Sequence, residues 1–325
     1  MIKKLLIIIL FIQFPFHVIT QDSLVLGEFT LKKVIDGDTF KFEGLDKSTR
    51  LLGLDTEETF KDDDAEMKVN DISSYWLEYY AHKKDSSCKP AKIESPFGYE
   101  TMLWAKKLFK DIAKVRIEFD DNNRINDMFG RYLVYIIAIR DDGSEFNYNI
   151  ECIKLGYSPY FSKYGYVKRF DNEFRQAQEY AHKNKLGIWS GNELCYPDYD
   201  ERLLWWNVRA EQIKKFETQS AGKNGFYSML DLNDFKKLKN QINDSVIVFG
   251  TISQVMKDKN PRIAKFVTDD NNQLELVFFE KSYHIIEDLD LANPKDYYIY
   301  VKGKLTDFNG QIQIIIEDAG QIRSE

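Results

Sequence analysis

The chain has 325 residues, 43% of them hydrophobic, and a formal net charge of −7. That length accommodates about two domains with real apolar cores. The acidic balance excludes a protein that spreads basic charge over its surface to hold a polyanion, and the three cysteines, Cys88, Cys152 and Cys195, match no zinc-ligand spacing and allow at most one internal disulfide.

Met1-Ile2-Lys3-Lys4, followed by the apolar run from Leu5 to Ile12, reads as the basic and apolar parts of a signal peptide over residues 1–20, cut near Gln21. The run is too short, and Pro15 too near, for a bilayer span of roughly twenty residues. An uncleaved anchor and a buried helix are the alternatives. Export permits a disulfide, with Cys195 the favoured partner, and loss of Lys3 and Lys4 takes the net charge from −7 to −9.

From Ser23 to Phe42 the residues alternate as strands do, through Leu24, Leu26, Phe29, Leu31 and Val34, and Asp36-Gly37-Asp38 is a turn signal. Arg50 to Leu54 is expected as the next buried strand. On a straight strand Arg50 and Asp55 face opposite ways, so spacing alone does not bring them to one site. Across residues 34–131 the chain supplies clustered carboxylates and two arginines beside turns and strand ends. Carboxylate oxygens suit a hard cation such as calcium. Arginine forks suit the paired oxygens of a phosphate, and a further carboxylate can take a proton from water. These are the parts of a metal-assisted phosphodiesterase.

Four stretches carry a resemblance. Ile35-Asp36-Gly37-Asp38-Thr39, then Arg50-Leu51-Leu52-Gly53-Leu54-Asp55-Thr56-Glu57-Glu58-Thr59, then Gly130-Arg131, and finally Glu173 through Lys185-Leu186-Gly187-Ile188-Trp189-Ser190 resemble, in family order, the staphylococcal nuclease (thermonuclease) family. The resemblance runs from about Glu28 to Trp189. It implies an α+β fold, with a five-stranded barrel and helices over residues 24–195. It also implies a calcium-dependent endonuclease, a hydrolase of DNA and/or RNA. By that likeness Asp38, Asp55 and the Thr56 carbonyl hold Ca2+, Glu58 is the general base, and Arg50 and Arg131 are phosphate clamps. Glu57 stands where the family usually has proline, which predicts a looser loop around Glu58.

Residues 60–95 depart from the family, whose loop there is much shorter. They open on Asp62-Asp63-Asp64, expected to be solvated. Tyr75, Trp76, Tyr79 and Tyr80 predict one helix with an aromatic face, packed on the barrel in the simpler reading and stacked on bases in the other. A helix led by Pro96 and ending near Ala113, a strand over residues 115–119, a strand over 132–139 and a helix over 148–155 follow. In the tyrosine-rich loop from Gly156 to Tyr166, Tyr164 falls where the family packs a tyrosine along the nucleotide, Ser162 replaces another, and Lys163 is a candidate phosphate neighbour.

Residues 196–244 read as a helical connector, with an amphipathic helix from Arg202 to Phe216 whose tryptophans need a surface. From 245 to 325 five strands, with one helix between the third and fourth, resemble a nucleic-acid-binding OB-fold. Nine Lys and Arg against thirteen Asp and Glu there argue against strong nucleic-acid binding, so a protein partner and a plain scaffold remain alternatives for this barrel. Taken together the sequence predicts an exported nuclease (secreted, periplasmic or on the cell surface) without stable membrane insertion after cleavage. The rival is a binding module that keeps the barrel but has lost catalysis. The presence of Asp38, Arg50, Asp55, Glu58 and Arg131 together speaks against it.

Overall fold

The computed structural model describes residues 24–84, 90–122, 124–127, 129–269, 272–292 and 298–324. The expected signal peptide, Cys88, Met128 and Asp270 lie outside the described residues. Among the described residues no helix is long and apolar enough to cross a membrane.

The first sheet is built from β1 (Val25–Phe29), β2 (Leu31–Val34), β3 (Thr39–Phe42) and β4 (Thr49–Leu51), with β5 (Ile112–Glu118), β6 (Tyr132–Arg140) and β7 (Glu145–Asn147). Its order is β1-β5-β6-β4-β3-β2, with β7 beside β6. Only Thr30 separates β1 from β2, so one bent segment supplies both edges and the sheet closes on itself. A register shift between Val25 and Gly27 assists the bend. β4 and β6 run parallel, whereas β5 and β6 are antiparallel. Leu133 to Ala138 are all buried, because the barrel core covers one face of β6 and helices cover the other.

Between β4 and β5 lie α1 (Ala65–Ser73), α2 (Trp76–Lys84) and α3 (Pro96–Leu108). α3 starts where Ser95 accepts a hydrogen bond from the Gly98 N–H, with Pro96 at the position where a missing N–H costs nothing. The strand after it begins at Ile112, so Ala113 belongs to β5 and not to the helix. Of the aromatic stretch expected as one helix, Trp76, Tyr79 and Tyr80 lie on α2, and Tyr75 stands in the turn just before it. Trp76 and Tyr80 are buried, but against Tyr196 and Tyr199 beyond the family's last helix, not against the barrel. Asp62, Asp63 and Asp64 are exposed, as expected, and Lys68 bridges the outer two.

α4 (Tyr148–Lys154) and α5 (Asp171–Lys183) pack together outside the barrel, and the Asn149 side chain bonds the backbone of Leu52, Val134 and Ile136, fixing α4 to the sheet. α6 (Tyr199–Ser220) follows, then β8 (Phe226–Ser228) and α7 (Leu232–Leu238). The stretch expected to be purely helical therefore contains a strand, which pairs with the second sheet.

That sheet comprises β9 (Ser245–Gly250), β10 (Ile252–Met256), β11 (Arg262–Asp269), β12 (Asn272–Phe278), β13 (Ile299–Phe308), β14 (Gln311–Ile316) and β15 (Ile322–Arg323), with α8 (Tyr283–Asp288) between β12 and β13. Its order is β10-β11-β12-β14-β13-β9-β8, with β15 on β13. β12 and β14 run parallel. Only Thr251 separates β9 from β10. Both sheets thus share one wiring: a split first strand, a parallel pairing of the third and last strands, and a helix before the fourth. α6 lies between them. Trp206 meets Phe161 edge-on at 4.8 Å, Phe216 stacks on Phe249 at 4.6 Å, and Arg209 donates to the Tyr298 hydroxyl at 2.7 Å. Among the described residues Cys152 and Cys195 are buried and do not pair with each other.

Candidate active site at the barrel rim

The site begins in the turn between β2 and β3. The Asp38 N–H donates to Asp36 Oδ1 at 3.1 Å, and the Gly37 carbonyl accepts from the Tyr148 hydroxyl at 3.0 Å. A Cβ at Gly37 would stand 2.5 Å from Thr101 Cγ2 and 2.7 Å from Thr56 Cγ2, so only glycine lets the turn pack on the Thr56 loop. Cross-strand register sets Thr39 opposite Arg50. Arg50 Nη1 then bonds Asp38 Oδ1, while Nη2 reaches Asp55 Oδ1 at 2.6 Å and the Leu54 carbonyl at 3.3 Å. The Thr56 N–H donates to Asp38 Oδ2 at 2.9 Å.

Asp55 reaches this cluster because the expected strand from Arg50 to Leu54 does not continue. β4 stops at Leu51, and Gly53, at φ +72°, turns the chain. The face-alternation that separates Arg50 from Asp55 on a straight strand is thereby broken. A Cβ at Gly53 would lie 2.5 Å from the Phe174 ring. Gly53→Ala is therefore expected to cost about 2 kcal/mol or more in left-handed strain and crowding, read from urea unfolding.

The loop around Glu58 is not loose. Glu57 is 1% exposed. Its Oε1 accepts from the Tyr196 N–H at 2.6 Å and the Tyr199 hydroxyl at 2.9 Å, and its Oε2 accepts from the Ser95 hydroxyl. Burial pushes its carboxyl up to about 7 despite those bonds. The glutamate that replaces proline thus anchors the loop by hydrogen bonds, which corrects the sequence expectation. The Glu58 carbonyl accepts from the Ser95 N–H at 2.9 Å. Its side chain is partly open to solvent, with Lys92 Nζ 3.5 Å and Lys61 Nζ 4.0 Å from its two oxygens.

Asp36, buried and next to Asp38, is pushed up to about 7. Burial works against the Arg50 charge, but Asp38 and Asp55 more than offset it. Burial likewise raises the Asp55 carboxyl, and Lys92 and Arg50 pull it below its usual range.

Arg131 immediately precedes β6, two residues before Leu133, the register partner of Arg50. Its guanidinium, however, bonds Asp127 at 2.6 Å and lies over the Phe129 ring. It makes no direct bond to Asp38, Asp55 or Glu58 among the described residues. The loop bearing Lys163 and Tyr164 is tied to the site by the Phe161 N–H, which donates to the Gly53 carbonyl at 2.9 Å. Beyond that tie the Lys163 ammonium lies 4.4 Å over the Trp205 ring, and Tyr164, half-exposed, faces Arg124. The structure therefore joins Asp38, Arg50, Asp55, Thr56 and Glu58, and sets Arg131, Lys163 and Tyr164 at the margin. Sequence reasoning missed Lys92 and Ser158, whose hydroxyl accepts from the Asp55 N–H at 2.9 Å. Neither belongs to a motif, so no local signal marked them.

The oxygen donors fit a hard cation in kind: buried carboxylates crowd together, and the Thr56 hydroxyl is buried without a partner among the described residues. In arrangement they are satisfied otherwise. Among the described residues no group of three or more His, Cys, Asp or Glu is set to hold a metal ion, and Arg50 and Lys92 supply the positive charge.

The family described as staphylococcal nuclease homologue matches residues 48–191. An uncharacterised protein of Methanocaldococcus jannaschii is 32% identical over 162 residues, 49% of this chain and 69% of its own length. The chain belongs to the staphylococcal nuclease family. A thermonuclease of Staphylococcus intermedius is 28% identical over 58% of this chain and 94% of its own. The prophage-derived endonuclease YokF of Bacillus subtilis is 27% identical over 51% of this chain, which spans only 45% of that protein. The family match contains Arg50, Asp55, Thr56, Glu58 and Arg131, whereas Asp38 precedes it and is joined to it by contacts alone.

Proposed function

We propose that this protein is an exported, calcium-dependent endonuclease that hydrolyses phosphodiester bonds in DNA and/or RNA. The observation that carries the reading is the single cluster of Asp38, Arg50, Asp55 and the Thr56 backbone, with Glu58 opening to solvent beside it. Asp38, Asp55 and the Thr56 carbonyl would hold calcium. The ion, when bound, supplies positive charge that polarises the scissile phosphate.

The protein's own residues do the rest. Arg50 spends three of its five N–H donors on Asp38, Asp55 and the Leu54 carbonyl, leaving two for a phosphate oxygen. That preset orientation is what makes a donor effective as charge grows in the transition state. Glu58 takes the proton from the attacking water, held in place through Glu57 and Ser95. Arg131 joins the phosphate once it leaves Asp127. Lys163 and Tyr164 flank the path of the nucleic acid. In the second barrel the acid excess favours a protein partner or a scaffold over a grip on nucleic acid.

Plasmid DNA and RNA incubated with the purified protein are expected to be cut with calcium present and spared with chelator. Cutting that chelator leaves untouched overturns the calcium assignment, and no cutting under either condition favours the binding module. Since net charge is negative, the association rate is expected to change little between low and moderate salt, as a stopped-flow salt series would show.

A further inference from the structure

Lys92, on the stretch that leads from the inserted helices back to α3, reaches into the acidic cluster. Its ammonium lies 2.6 Å from Asp55 Oδ1, the oxygen that also takes Arg50 Nη2, and 3.5 Å from Glu58 Oε1. The two cations on Asp55 are held differently. Arg50 is held by three partners and its side chain is 15% exposed. Lys92 has two carboxylate partners, and its flexible stem leaves its side chain 43% exposed. Its backbone, by contrast, is fixed. The Ile93 N–H donates to the Tyr196 hydroxyl at 3.2 Å, Glu94 bridges to Glu58, and the Ser95 N–H bonds the Glu58 carbonyl.

We propose that Lys92 is a tethered competitor for the metal: its ammonium occupies Asp55 and must leave before a divalent cation can bind, so the inserted segment sets the protein's affinity for the ion. The inference rests on the calcium reading above. A fixed backbone with a mobile charged tip holds the ammonium at high effective concentration beside Asp55, whatever the salt outside. A divalent cation entering there both displaces a bonded charge and meets its repulsion. Of the two cations, Lys92 is the one that can swing clear without breaking the cluster.

Calorimetric titration of calcium chloride into the purified full chain, without nucleic acid, tests this. Lys92→Met and Lys92→Gln are each expected to bind calcium about tenfold tighter or more, the low end of what an opposite charge at this range contributes, while Lys92→Arg stays near wild type. The glutamine keeps a polar head for Asp55, so tightening in both variants isolates the charge from packing, and thermal unfolding of the same samples verifies that they are folded. If the two neutral variants bind calcium no tighter than wild type, the role of Lys92 is overturned and the calcium site stands. If neither wild type nor variants bind calcium, the calcium reading falls as well.

Discussion

Replacing Arg50 by lysine is expected to slow cleavage about a hundredfold or more, nearly as much as replacing it by alanine. The guanidinium spans Asp38 and Asp55 at once and reaches the Leu54 carbonyl. A compact ammonium, which has no fork, can serve one of those carboxylates but cannot hold both and still face a phosphate. Its loss also leaves Asp38, 1% exposed, without its cation, so some stability goes with the rate. The two effects separate in single-turnover cleavage assays run well below the unfolding temperature. Wild-type turnover in the lysine variant would show that Arg50 is no clamp.

Replacing Asp198 by alanine is expected to cost about 3–5 kcal/mol, the usual consequence of stranding a buried charge. Asp198 Oδ1 accepts from Arg202 Nε at 2.6 Å, and Oδ2 accepts from the Tyr80 hydroxyl at 2.8 Å and Lys84 Nζ at 3.1 Å. Arg202 is 2% exposed, stacks 4.4 Å over Tyr196 and bonds the Ala91 carbonyl. This knot ties α2 to α6 and supports the Tyr196–Tyr199 floor under Glu57. Burial raises the Asp198 carboxyl, but Arg202, Tyr80 and Lys84 together pull it below its ordinary value. A depressed carboxylate stabilises the fold above its unfolded value of about 3.9, and that contribution disappears as pH falls through the folded value. Urea midpoints should therefore drop for the alanine variant at pH 7, and Asp198→Asn should flatten the acid side of the stability profile. Unchanged midpoints would mean that the inserted helices dock by their aromatics alone. Replacing Asp198 and Arg202 together by apolar residues should cost less than the aspartate alone, because the buried guanidinium is then no longer stranded.

Much of the fold was legible because its signals are local. Alternation marked β1 to β3 and the strands after Ser245, and amphipathic spacing marked α6. The elements that escaped depend on partners distant in sequence. β8 has only three residues, and its pairing with β9 is what makes it a strand. Tyr75 to Tyr80 could not show that the helix starts only at Trp76, nor that its surface lies at Tyr196. At the site, the acidic and arginine residues were readable through motif order, and the structure joins Asp38, Arg50 and Asp55 as that order implies. The route was not readable, since a straight strand would have parted Arg50 from Asp55 and it is Gly53 that turns the chain. Glu57 looked like a lost proline, because its three partners come from residues 95, 196 and 199. Lys92 carried no motif at all; its meaning comes from the fold bringing it to Asp55.

Glu58 carries the proposed proton transfer, and among the described residues its side chain pairs with Lys61 and Lys92 at the surface, so it can be changed with little harm to the fold. Plasmid cleavage rates with calcium should be measured for wild type and Glu58→Gln side by side, with circular dichroism to show both are folded. Loss of about a hundredfold or more in the glutamine variant is expected, since a neutral amide cannot accept the proton. Equal rates from two folded proteins would contradict the assignment.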